Sequence, residues 1–255
     1  VNNCDNRIIA KCVVNAVTPA VRDERVITRS QAGGVFGRDI RNHVRALNNH
    51  IYTPIEDEAA ANAYALFVDS AKAFDSVYHE YIMAILRAFG FPKWVITIIG
   101  TLLSDVEVIP QFGAGTAIRI AIFRGVKQGC PLSPLIFVLC IEPLLRRLNS
   151  IRNILALGFL DDLQCFTHDV EAIGPCLTNI DKFTIASGLG INRDKTQLMA
   201  ARDDGLLRRW TEAEDFADWK LEEVGAYQAL GIWAGREVGL NEVFAEAYGK
   251  LVDRL

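Results

Sequence analysis

Two short apolar runs interrupted by an acidic pair constrain the fold more than any other stretch: Ile154 to Phe159, then Leu160-Asp161-Asp162, then Leu163 to Phe166. Runs of this length read as buried strands, and the two aspartates fall where a tight antiparallel hairpin turns. Adjacent carboxylates at such a tip repel each other and cost free energy unless a cation neutralises them, which makes Mg²⁺ a natural guest. An ordinary solvated Asp turn fits the same local pattern. A third carboxylate on a second strand end separates the two readings, and Asp69, directly after the apolar strand Ala63 to Val68, is such a residue.

The rest of the chain supplies helices to back that hairpin. Ile8, Ile9, Val13, Val14 and Val17 predict a helix over roughly 5 to 23. A glycine-rich stretch, Gln31 to Arg38, leads to Asp39, the expected cap of a helix carrying Ile40, Val44 and Leu47. Ser76 is expected to start a helix striped by Ile82, Ile85, Leu86 and Phe89 and closed by Gly90, and Pro92 to open the next, through Leu103. Val106 to Phe112 and Thr116 to Phe123 form a hairpin about Gly113-Ala114-Gly115. Ser133-Pro134 begins a long apolar helix to about Leu148, with a kink expected at Pro143. A helix over about 170 to 187 stops at Gly188, Thr196 to Ala200 is a strand, and 201 to 218 is polar without pattern. One or two strands follow between Trp219 and Trp233, then a helix from Glu242 to Leu255. The order predicts an α+β fold of split βαβ type, an antiparallel sheet backed by helices on one face.

Composition limits the function classes. With 51% apolar and 23% charged residues in 255, the chain has an ordinary globular balance and is not disordered. A net charge of -4 and a pI near 5.6 argue against a surface that grips nucleic acid everywhere, so any polymer must be held in a local groove. The six cysteines, at 4, 12, 130, 140, 165 and 176, form no C-x-x-C pair and read as core residues of a reducing compartment. No signal peptide is visible and no apolar run reaches the roughly 20 residues a bilayer requires, so an intracellular protein with no membrane partner is expected. The chain opens on Val and stops inside a helical pattern, as a piece of something longer would.

Four segments in succession carry a resemblance. Phe67-Val-Asp69-Ser70-Ala-Lys-Ala73-Phe74-Asp-Ser-Val77, Arg124-Gly-Val-Lys-Gln128-Gly129-Cys-Pro-Leu-Ser-Pro134, Phe159-Leu-Asp161-Asp162 and Ser187-Gly-Leu-Gly-Ile-Asn-Arg-Asp-Lys195-Thr196 resemble, in order and spacing, the polymerase motifs of reverse transcriptases from non-LTR (LINE-type) retrotransposons. Gln31 to Ile40, followed by Arg41, resembles the family's Gln-x-Gly-x-x-x-Gly-Arg-x-Ile segment, and Ala229-Leu230-Gly231-Ile232 its primer grip. The resemblance covers nearly the whole chain. It implies a polymerase palm over 63–235 with fingers elements around 92–130, partial helical fingers over 1–62, and the start of a thumb over 236–255.

It further implies an RNA-directed DNA polymerase that transfers a nucleotide from dNTP to a primer 3′-hydroxyl on an RNA template, using two Mg²⁺ ions, with Mn²⁺ as a substitute. Asp69, Asp161 and Asp162 would be the catalytic metal ligands. Ser70 to Ala73 would offer backbone N–H groups to the triphosphate, and Phe74 would abut the sugar and reject a 2′-hydroxyl; plain core packing is the other reading of Phe74. Gln128 and Gly129 would lie over the nascent base pair, or form only a tight loop before a helix. Lys195 would donate a proton to pyrophosphate, or be a solvated turn lysine. Arg38 and Arg41 would contact template phosphates, or begin a solvated helix. Leu230 and Gly231 would touch the primer. Leu160 stands where the family has a small residue, Gly34 where an aromatic is common, and Ala229 where Tyr is usual. These departures keep a second reading open, a retroelement remnant with no polymerase activity; a nucleotide-cyclase-like palm enzyme is a distant third.

Overall fold

The acidic hairpin is one corner of a mixed sheet. The computed structural model describes residues 4–52, 62–104, 107–108, 120–203, 205–213, 219, 221–229 and 232–235. Along the chain these form helices α1 (Cys4–Val21) and α2 (Arg41–Tyr52), strand β1 (Tyr64–Ala71), then α3 (Ala73–Ser76), α4 (His79–Ala88) and α5 (Lys93–Leu103). The short strands β2 (Glu107–Val108) and β3 (Ile120–Ala121) pair antiparallel, and α6 (Ser133–Asn149) follows. Next come β4 (Leu155–Phe159), β5 (Asp162–Thr167), α7 (Ile173–Ser187), β6 (Gly190–Ala200), α8 (Leu206–Ala213), β7 (Glu222–Val224), β8 (Ala226–Ala229) and β9 (Ile232–Gly235). Five strands share one sheet in the order β4-β5-β1-β6-β7, antiparallel throughout except for the β6–β7 pair, while β8 and β9 form a separate hairpin.

Alternation along β1 decides what lies on each face. Leu66 and Val68 join the large core made with α4, α5, α6 and α7, whereas Ala65 and Phe67 join a small cluster with Leu157, Phe166, Met199 and Leu47 of α2. The larger cluster is built around α6, whose residues Leu135 to Glu142 are buried without interruption, as in a helix covered on all sides. The polar end of β1, from Asp69 to Ala71, is only half-buried.

Several boundaries differ from expectation. β1 does not end on Asp69 but continues to Ala71, paired to β6 through Asp69↔Asn192 and Ala71↔Gly190. Ser76 closes α3 rather than opening a helix, and α4 starts at His79. β6 begins at Gly190, six residues before the expected strand, and α6 continues through Pro143 to Asn149. The polar stretch after 201 contains α8, which buries Leu207 and Trp210. Cys140, Cys165 and Cys176 are core residues as expected, but Cys4 and Cys12 are exposed. The Gly113 to Gly115 turn and the 242–255 helix, with the thumb expected there, lie outside the described residues.

Candidate active site at the hairpin corner

The turn itself is shifted by one residue from the sequence reading. Phe159 pairs with Asp162, so Leu160 and Asp161 make the turn and Asp162 is the first residue of β5. Leu160 has φ 57°, in the left-handed region that side chains rarely adopt. The strained turn is held from outside. The Gln31 side chain, fully buried, accepts the Leu160 N–H through Oε1 at 3.1 Å, and Ser70 Oγ donates to the Asp161 carbonyl at 2.9 Å. The Leu160 side chain, standing where the family has a small residue, lies against Gly33 and Gly34.

Asp69 and Asp162 are brought side by side. The β1–β5 register runs to Val68↔Leu163, which sets the next residue of β1, Asp69, beside the preceding residue of β5, Asp162. Both continue the face of Phe67 and Gln164. Burial and the charges of Asp161 and Asp69 raise the Asp162 carboxyl above its ordinary range. Tyr227, stacked on Phe67 at 3.9 Å, has its phenol raised by burial and then by Asp162 and Asp69. None of the three carboxylates is paired with a basic side chain among the described residues. Nor do any three His, Cys, Asp or Glu side chains among those residues stand close enough to form a ready-made metal cage. The fit to a divalent cation is thus one of donor chemistry: hard carboxylate oxygens with uncompensated negative charge, which oxygen-seeking cations prefer.

The other expected residues divide into those near this corner and those engaged elsewhere. Phe74 is half-buried and stacked on Phe137 at 4.6 Å, and its carbonyl accepts the Val126 N–H at 2.6 Å. That bond joins the Asp69–Phe74 segment to the loop bearing Gln128 and Gly129, which is also tied by Gly125 N–H to the Val77 carbonyl at 2.7 Å. Ala73 is buried, Gln128 is exposed, and Gly129 has φ 76° with open space around it, so backbone conformation rather than close approach requires glycine there. A cavity of about 300 Å³ opens beside this loop between Asp75, His79, Arg124 and Gln128.

Lys195 is not in a turn. Between the pairs Phe67↔Gln197 and Asp69↔Asn192, β1 advances two residues and β6 five, and Lys195 is exposed on that bulge. Arg38 is engaged in a different task from the one expected: its half-buried guanidinium donates to the carbonyls of Ile27, Thr28 and Gln31, fixing the segment before α2. Arg41 is exposed and pairs with Asp39 across the start of α2. Leu230 and Gly231 lie outside the described residues. Sequence reasoning missed Gln31 and Tyr227. A glutamine in a glycine-rich segment signals only a turn, because its partner in the turn is 129 residues away.

The sequence family described as reverse transcriptase (RNA-dependent DNA polymerase) matches residues 1–232. The Transposon TX1 uncharacterized 149 kDa protein of Xenopus laevis is 27% identical over 202 residues, 75% of this chain and 15% of that protein. The Pol polyprotein of retrotransposable element R2DM of Drosophila melanogaster is 33% identical over 143 residues, 52% of this chain and 13% of that protein. The chain therefore spans only a small part of these relatives. Among solved structures, apo telomerase from Candida tropicalis truncated from its C-terminal domain superposes with a TM-score of 0.65 at 12% identity, over 90% of this chain and 44% of that one. That likeness fixes the fold as a polymerase palm, and the kinship with retrotransposon enzymes read from the four motifs is borne out. The chain belongs to the reverse transcriptase family.

Proposed function

We propose that this chain is the polymerase region of a retrotransposon reverse transcriptase, adding deoxynucleotides to a primer 3′-hydroxyl on an RNA template. The observation that carries this reading is the placement of Asp69 beside Asp162, with Asp161 in the adjoining turn, as a group of carboxylates that form no ion pair with a basic side chain among the described residues. Asp69, Asp161 and Asp162 hold the divalent cations, Mg²⁺ or Mn²⁺. When bound, such ions lower the pKa of an attacking hydroxyl and stabilise a leaving pyrophosphate. The half-buried ring of Phe74, backed by Phe137, meets the sugar of the incoming nucleotide and selects against a 2′-hydroxyl. Ser70 to Ala73 and the Gln128-Gly129 loop receive the triphosphate and the nascent base pair, and the exposed Lys195 supplies a proton to the departing pyrophosphate. Residues 63–235 act as palm, with 1–62 and the elements around 92–130 as fingers; 236–255 lead toward a thumb.

Primer extension tests this reading. With an RNA template, a DNA primer, dNTPs and Mg²⁺, the protein extends the primer, and Asp161→Asn does not. If the protein binds Mg²⁺ and dNTP no differently from Asp161→Asn and extends nothing, the inactive remnant is the correct description.

A further inference from the structure

We infer that Gln31 is a positioning residue for the acidic turn, and that Leu160 locks the turn onto the Gly33-Gly34 platform beside it. The inference rests on the polymerase reading for its catalytic meaning, although the lock is a matter of structure. Gln31 is wholly buried, and its Oε1 accepts two backbone N–H groups, from Gly33 at 3.0 Å and from Leu160 at 3.1 Å. Two donors on one oxygen fix the orientation of the amide, since a flipped NH₂ accepts from neither. The backbone around it is joined to β4 as well: the Gly158 N–H reaches the Ser30 carbonyl at 2.8 Å and the Ala32 N–H the Gly158 carbonyl at 3.0 Å.

The Leu160 side chain completes the contact. A Cβ added at Gly33 would lie 2.4 Å from the Leu160 backbone nitrogen and 2.9 Å from Leu160 Cγ, and one at Gly34 would lie 2.9 Å from Leu160 Cδ2. Both backbone and side chain of Leu160 thus sit on residues 31–34, which leaves room for no larger residue there. The platform is itself anchored, because Arg38 donates to the Gln31 carbonyl at 2.6 Å and to two carbonyls upstream. A Leu in the left-handed region, here at φ 57°, is strained on its own. Gln31 and the glycine platform hold it there, and so hold Asp161, the next residue, in place.

Hydrogen exchange on the full chain carrying Gln31→Met tests the lock without reference to activity. Loss of the acceptor is expected to speed exchange of the Leu160 N–H by about tenfold, the scale of one net hydrogen bond, with the β1–β6 amides still protected. Unchanged Leu160 exchange in a folded variant overturns the inference. Should Gln31→Met fail to fold, a double-mutant cycle decides: the stability lost in Gly34→Ala is expected to shrink in a Leu160→Ala background, and equal losses in both backgrounds overturn it. In single-turnover primer extension, Gln31→Met is expected to lower the incorporation rate while leaving the KM for dNTP unchanged. A wild-type chain that extends no primer removes the polymerase reading alone, because exchange and the cycle still decide the lock.

Discussion

Where β1 begins, polar groups are spent on tying strands together; where it ends, carboxylates stand side by side with nothing basic among the described residues to balance them. At the first end, Asn62 donates to the Arg202 carbonyl at 2.7 Å and accepts the N–H groups of Ala63 and Arg202, both at 2.9 Å. His50 Nε2 donates between the carbonyls of Thr167 at 3.1 Å and Tyr64 at 3.3 Å, bridging β5 and β1. At the other end, burial and then the charges of Asp161 and Asp69 raise the Asp162 carboxyl above its ordinary range. One sheet thus holds a satisfied end that contributes stability and an unbalanced end that gives some of it up, as functional sites commonly do. The largest effect should come from removing charge at the unbalanced end. Asp69→Asn is expected to lower single-turnover nucleotide incorporation by roughly a hundred- to a thousandfold, the scale of losing one electrostatic stabiliser of a transition state. Its thermal midpoint at neutral pH should stay level or rise, because a like charge has gone. Undiminished incorporation, or a large fall in midpoint, would break the comparison.

The satisfied end should answer in the opposite way. Asn62→Ala strands the buried Ala63 N–H and leaves the partly buried Arg202 N–H and carbonyl to water, and about 1–3 kcal/mol of unfolding free energy should be lost, read by denaturant titration, with the dNTP KM unaltered. The same end is acid-sensitive. Burial lowers the pKa of His50 there to about 4, with the nearby His168 contributing; at the other end of α2, burial followed by the Arg38 charge lowers His43 to about 4. The folded values lie below the usual imidazole value, so between about 6.5 and 4 the unfolded chain binds more protons than the folded one. Stability is complete above about 6.5 and falls as pH drops toward 4, by on the order of 2 kcal/mol for each ring. His50→Gln should flatten this acid limb; a limb of unchanged slope would show that other groups govern it.

The two ends were not equally legible in the sequence. The hairpin was visible because two apolar runs can only be strands at that length, and the corner because Asp69 ends the apolar part of β1. The turn was assigned one residue late, since both aspartates suit a turn and local pattern does not reveal that Phe159 pairs with Asp162. β6 was read too short because 190–195 is polar, and its early half becomes a strand only by pairing with β1. Helix α8 was missed because Leu207 and Trp210 form a stripe too narrow to stand out, and Trp210 finds its partner in Glu171 at 3.3 Å. For Arg38 the family resemblance implied a phosphate contact and the local pattern a solvated helix start; its three carbonyl acceptors come from the folded segment just before it, which neither reading could show.

The smallest effect lies on the β6 bulge that carries Lys195. Arg193 pairs with Asp181 of α7 at 2.6 Å, while Asp181 also accepts the Trp219 N–H at 3.0 Å and the Arg193 guanidinium lies over the Trp219 ring at 5.1 Å. Arg193 and Asp181 are each about one-third exposed, so Arg193→Ala should cost less than about 1 kcal/mol, and less again in high salt. The bulge has no continuous ladder to hold it, so this contact governs its local order more than the stability of the whole. Exchange of the Asp194 and Lys195 amides should accelerate while the Val68 to Leu163 part of the sheet keeps its protection. Equal loosening of both would mean that the bulge is part of the cooperative core and that the functional end of the sheet is no softer than the satisfied one.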